Sequence, residues 1–158
     1  VHHSDNAMDI TTHVRAHPLH FIVTVLWKAL AAAALGVPLW VVILRETVAL
    51  PVVQLHHSAI RWPLSIERLL RTVLVTPAMH RLHHSPNQVY TDSNFGSLFP
   101  WWDILLKTYT RQTGDTYSYS GQTGLDKLSG PGWQTLWGML ITPWRMARGQ
   151  TLRISEAD

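Results

Sequence analysis

Polar residues fill positions 1–16, and the chain then turns apolar. From Phe21 to Leu44 it is almost uncharged, reading FIVTVLWKALAAAALGVPLWVVIL. That length suits a membrane-crossing helix, which needs about 20 residues. Gly36-Val37-Pro38 interrupts the run, however, and Gly and Pro punctuate helices. The pattern predicts two helices, about 18–35 and 38–57, forming an antiparallel hairpin around that triplet. Lys28 lies nine residues before Val37 and Glu46 nine after it. In such a hairpin the two share one depth and neutralise each other, each being costly alone in a low-dielectric layer. Two readings compete with this: Lys28, Arg45 and Glu46 snorkel to water, or the hairpin is buried inside a soluble protein.

Further along, LSIERLLRTVLVTP (64–77) is amphipathic, with Ser65 as a candidate N-cap. Thr76-Pro77 has the cap-then-proline form of a helix start, opening a short helix that carries Met79 to His84 and stops at Ser85-Pro86. The stretch 87–100 is rich in turn residues. In WWDILLKTY (101–109), aromatics stand beside aliphatics, as at a membrane interface. Residues 110–132 form a polar connector. Beyond it, Trp133, Leu136, Trp137, Leu140, Ile141 and Trp144 recur at helical spacing as one apolar stripe. Such a helix lies in the membrane interface or packs on the domain; the pattern leaves both open. The fold class expected is all-α: an integral membrane helical hairpin, further helices on its cytoplasmic side, and a C-terminal amphipathic helix. Two regions are expected, residues 1–110 and a tail, 111–158.

Composition sharpens this. Charged residues make up 15% of the 158 positions, against about 25% in ordinary soluble domains, and there are eight tryptophans. Few charges with many tryptophans point to lipid as part of the solvent. The net charge of +3 comes from dispersed bases without interleaved aromatics, so no nucleic-acid partner is expected. The turn between the two apolar helices is uncharged. Their open ends carry Arg15, Arg61, Arg68, Arg71 and Arg81, which places that end in the cytoplasm by the positive-inside tendency. There is no cysteine, hence no disulfide, thiolate nucleophile or Cys-containing zinc site.

The remaining chemistry is histidine, ten residues in all. His80, His83 and His84 stand at i, i+3 and i+4 and share a helical face. Imidazole is the commonest neutral nitrogen ligand for first-row metals. Neighbours such as His83 and His84 diverge by about 100° on a helix, so one pair can serve two ions. His2-His3 and His56-His57 repeat the adjacent pair, and HHS occurs three times. Such recurrence is improbable by chance and marks a metal site. His13, His17 and His20 fall outside the pattern and are read as interfacial or solvated.

These residues carry a resemblance. HRLHHSPNQVYTDSNFGSLFPWWDILLKTY (80–109) resembles the closing signature of the membrane-bound fatty acid hydroxylase and sterol desaturase superfamily: H-R-x-H-H-S, then T-x-S-N-[FY]-G, then W-D-x-L-[FL]-x-T-[YF]. VHHSDNAMDITTHVRAHPL resembles its middle box, and HSAIRWP (57–63) the segment after its fourth helix, with Ala59 where Asn is usual. The resemblance implies metal ligands at His2, His3, His57, His80, His83 and His84, with His56 a neighbour, and Asp92 and Asn94 orienting ligand imidazoles. It implies two non-haem irons, O2 as co-substrate, a lipid substrate met in the membrane, and an electron-donating ferredoxin or cytochrome b5. The activity implied is hydroxylation or desaturation of a lipid C–H bond. Two alternatives accompany it. One is a zinc-dependent membrane hydrolase, although no Glu stands within a box as in H-E-x-x-H. The other is a catalytically incomplete piece of a longer protein, because the first histidine of the middle box and the family's first box are not in the sequence.

Overall fold

The computed structural model describes residues 2–111, 123–124, 128 and 130–148. Among these the architecture is all-helical, without a strand. Two short 3-10 turns, His2–Ser4 and Thr12–Val14, precede the long helices α1 (Pro18–Ala34) and α2 (Leu39–His57). Shorter helices follow: α3 (Leu64–Leu70), α4 (Pro77–His83), α5 (Gln88–Thr91), α6 (Trp101–Leu106), α7 (Pro131–Gln134) and α8 (Leu136–Ala147).

Local chemistry explains the boundaries. His17 caps α1, its Nδ1 accepting from the Leu19 amide at 3.1 Å, with Pro18 at the first helical position. The helix stops at Ala34 with Leu35 as its C-cap, and Gly36 follows with a φ of +64° that suits a residue without Cβ. Pro38 then starts α2. Across the two helices the Lys28 ammonium meets the Glu46 carboxylate at 3.0 Å, and Arg45 adds a second contact to the same oxygen at 2.6 Å. The pairing inferred from sequence therefore forms. Thr76 caps α4 as its sequence indicates, accepting from the Met79 amide. Ser65 does not cap α3, because the helix already begins at Leu64 behind Pro63.

The C-terminal stripe is not one helix. Thr135 adopts an extended conformation (ψ 155°), ends α7 and caps α8, accepting from the Gly138 amide at 3.0 Å. Trp133 is buried as a result, whereas Leu136, Trp137 and Trp144 on α8 are exposed. Gly138 admits the break, since a Cβ there would overlap the Gly132 carbonyl. The expected connector and the end of the tail lie largely outside the described residues.

α2 is the one described helix long and apolar enough to cross a membrane, and only 11% of its apolar window is buried. Such a helix is not the core of this domain. α1 is apolar too, and large side chains on both face outward, including Leu26, Trp27, Leu30, Trp40 and Ile43. The packed part begins where α2 ends, at His56 and His57, and lies chiefly between α2 and α4. Its interior is mainly polar, with Met79, Leu82, Val75 and Trp133 among buried His, Asp, Glu, Arg and Thr side chains.

Candidate metal centre

Three short elements deliver imidazoles to one place. The first 3-10 turn brings His2 and His3, the end of α2 brings His56 and His57, and α4 with its C-cap brings His80, His83 and His84. One nitrogen from each of His2, His57, His80 and His84 lies within 4.8 Å of the others. His3 and His83 flank this set, with ring centroids 4.6 Å apart, and His3 stacks on His84 at 4.4 Å. The structure thus gathers all six of the expected ligand histidines. His56 sits beside the group, its ring 3.9 Å from that of His80.

The tautomers follow from the neighbours. The Nδ1 of His2 lies 2.8 Å from the Thr12 carbonyl, that of His57 2.6 Å from Val53, and that of His83 2.8 Å from Ser93. A carbonyl only accepts, so each Nδ1 carries the proton and each neutral ring turns a lone pair outward at Nε2. The Nε2 atoms of His2 and His57 then face each other at 3.1 Å, with the His80 Nε2 3.0 Å from that of His57. Lone pairs directed at one another repel unless a cation stands between them. His84 is more extreme, since both of its ring nitrogens are buried without a hydrogen-bond partner, and the Nδ1 atoms of His3 and His80 are also unpartnered. Orphaned polar atoms at this density are costly.

Protonation does not relieve the crowding. Burial first, and then neighbouring imidazoles, push His2 down to about 3 and His3 down to about 4. The same causes hold His80 and His84 well below the usual histidine range. Burial lowers His83 as well, opposed by its bond to the Ser93 carbonyl. A set of neutral nitrogen donors with converging lone pairs and backbone-oriented rings fits a first-row transition metal.

The rings are held by a polar scaffold. Thr12, fully buried, donates its hydroxyl to Asp5 at 2.7 Å and accepts from the Asp9 amide at 2.9 Å, which fixes the carbonyl that orients His2. Arg15 pairs with the same Asp5 at 3.1 Å and reaches Gln134 on α7. Arg81 ties α4 to the end of α2 through the Ser58 carbonyl at 3.0 Å. Glu67 on α3 binds Arg71 and accepts from Thr76 at 2.6 Å, anchoring the start of α4.

Of the two residues expected to orient imidazoles, Asp92 accepts from Gln88 at 2.6 Å, while Asn94 clamps Thr110 through bonds of 3.0 and 3.1 Å. The group that holds His83 is the Ser93 carbonyl between them. Asp103 fixes that loop from beneath. Its buried carboxylate accepts from the Phe95 and Gly96 amides at 2.8 Å each and from the Thr108 hydroxyl at 2.7 Å. Carbonyl acceptors of this kind leave no mark in residue type. Asp103 was visible only as part of the WWD motif.

A cleft of roughly 930 Å³ opens onto this centre. Its wall includes His2, His3 and His83, then Phe21, Thr24, Val25 and Lys28 of α1, Glu46 of α2, and Thr142 and Pro143 of α8. His13, His17 and His20, read as interfacial or solvated, also line it. The ring of His13 lies 5.7 Å from that of His57, and the His17 Nε2 donates to the Leu140 carbonyl at 3.0 Å, tying α1 to α8.

Residues 1–108 match a protein-family model described as fatty acid hydroxylase. The chain belongs to the fatty acid hydroxylase family. That membership makes it one of a group of membrane-associated, typically metal-dependent oxidoreductases, consistent with the resemblance carried by its histidine motifs and with the one apolar helix among the described residues that is long enough to span. No curated protein and no solved structure matches it significantly.

Proposed function

We propose that this fatty acid hydroxylase family chain forms a non-haem diiron centre that uses O2 to hydroxylate or desaturate a C–H bond of a membrane lipid. The observation that carries the reading is the convergence of neutral imidazole lone pairs, His2 Nε2 against His57 Nε2 at 3.1 Å beside the doubly unpartnered His84. His2, His57, His80 and His84 would hold one ion, with His3 and His83 beside His84 serving the second. Bound iron supplies the redox chemistry that activates O2, which no amino-acid side chain provides.

The chain's own residues do the rest. Neutral ligands leave the bound cations their positive charge, and burial of His57, His80 and His84 keeps bulk water from them. Carbonyls of Thr12, Val53 and Ser93 hold the rings in a fixed tautomer. In this reading α1 and α2 form an antiparallel hairpin in the bilayer, with the histidines at its cytoplasmic end. Phe21, Thr24 and Val25 present a mostly apolar wall to a lipid entering sideways. Electrons come from a ferredoxin or cytochrome b5 type redox donor, because no side chain of these residues supplies them.

The test is lipid analysis of membranes containing the chain and a reducing partner, under 18O2. A hydroxylated product carrying the label, or a product lacking two hydrogens and formed only with O2, is expected. His83→Ala should abolish either product while the protein remains in the membrane. Undiminished product in that variant refutes the ligand role of His83, and the absence of any O2-dependent change refutes the reading.

A further inference from the structure

Within 18–57 the formally charged residues are Lys28, Arg45 and Glu46. Ionisable groups are expensive in a bilayer, and those that persist there mark sites of function. Lys28 and Glu46 line the same cleft as His2, His3 and His83. Glu46 takes both cations on one oxygen, so two positive groups answer one negative group and the cluster keeps a surplus positive charge. The Lys28 ammonium has three donors, of which Glu46 engages one, and its side chain remains 45% exposed. Glu46 precedes His57 by eleven residues on α2, an axial separation of about 16 Å at the α-helical rise. The wall between is largely apolar.

We propose that Lys28 is a specificity-determining residue: it donates to an oxygen of the lipid substrate, set about 16 Å along the chain from the carbon delivered to the histidines. The substrate is then a lipid with an acceptor oxygen, either a carboxylate or a neutral hydroxyl or keto group, separated by an apolar stretch from its reacting carbon. This rests on the lipid-oxidising reading above. A plain hydrocarbon segment would leave the Lys28 donors facing an apolar ligand, at the cost of an unmet charged donor. Arg45 matters here as well. If Lys28 is removed, Glu46 still has a cation at 2.6 Å, so the position can be tested without orphaning a carboxylate.

The experiment measures retention of a long-chain fatty acid, the alcohol of the same length and the matching alkane by the full chain in nanodiscs, using native mass spectrometry. Each lipid is scored as wild type over variant, which cancels bulk partitioning. Lys28→Met should lower retention of the oxygenated lipid about tenfold, the effect of one charge-assisted hydrogen bond, and leave the alkane unchanged. Lys28→Arg should restore it. Loss confined to the acid assigns an anionic partner, and loss for acid and alcohol alike assigns a neutral acceptor oxygen. Equal retention of all three lipids by wild type and Lys28→Met overturns the proposal. Iron counted in the same samples keeps the two claims separate: a chain without iron refutes the diiron reading, whereas unaltered lipid ratios in an iron-loaded chain refute the role of Lys28.

Discussion

Asp103→Asn is the sharpest perturbation of the scaffold, because it changes a single buried group that is not itself an expected metal ligand. The Asp103 carboxylate is 2% exposed and accepts three hydrogen bonds, from the amides of Phe95 and Gly96 and from the Thr108 hydroxyl. Asparagine keeps one acceptor oxygen, which can serve Phe95 and Thr108. Its amide nitrogen then points at the Gly96 N–H, two donors facing each other. The change forfeits one charge-assisted bond, about 1.5–3 kcal/mol, and leaves a buried N–H unmet, so a loss of about 3 kcal/mol in stability is expected. The loop cannot easily relax toward the substituted side chain, since Gly96 is already packed against both Asp103 and the Phe99 carbonyl.

The functional consequence passes through the Ser93 carbonyl, which this loop positions on the His83 Nδ1. Loss of such an outer partner typically weakens metal binding 10–100-fold. The weakening should fall on the ion bound near His3 and His83 and spare the one held by His2, His57, His80 and His84. Denaturant unfolding of the detergent-solubilised chain gives the stability, and competition with a graded series of chelators gives the two affinities. A stability loss under about 0.5 kcal/mol would falsify the role of Asp103 as the clamp of this loop, and equal weakening of both ions would contradict the route through Ser93.

Other outcomes follow from the same contacts. Thr12→Val removes the hydroxyl that joins Asp5 to the Asp9 amide in a fully buried position, and should cost about 2 kcal/mol while loosening His2; an unchanged unfolding midpoint argues against it. His17→Ala removes both the α1 cap and the tie to Leu140, costing about 1 kcal/mol and increasing amide exchange in α8; unaltered α8 exchange contradicts that tie. The metal-free chain should lose stability as pH falls below 6.5. With His2 at about 3 and His3 at about 4 in the folded state, the unfolded chain binds more protons throughout that window, so acid favours unfolding. A denaturation midpoint that is flat between pH 7.5 and 5 would contradict the assignment of these rings as buried and neutral.

Much of this was legible in the sequence because it rests on spacing. The i, i+3, i+4 histidines of α4, the Thr76-Pro77 start and the break at Gly36 each follow from local geometry. The Lys28–Glu46 pair follows from equal distance about a turn. What spacing does not encode is which backbone carbonyl meets which ring. Thr12, Val53 and Ser93 act through groups that every residue possesses, so their role emerges only when the chain folds. The split of the C-terminal stripe escaped for a related reason. Thr135 is tolerated inside a helix by propensity, yet here its hydroxyl is used to cap a new one, a choice enforced by the close Gly132–Gly138 approach. His17 falls outside the paired-histidine pattern and reads as interfacial or solvated, but it is a cap and an inter-helix tie because its two nitrogens find different backbone partners.

The central claim is that the imidazoles gathered around His84 hold two irons. Metal analysis of the purified chain, loaded anaerobically with ferrous iron and desalted, tests it most directly. About two irons per wild-type chain, and loss in His84→Ala of at least the ion assigned to His2, His57, His80 and His84, is the result expected. Zinc alone, a single iron, or two irons retained by His84→Ala would contradict it.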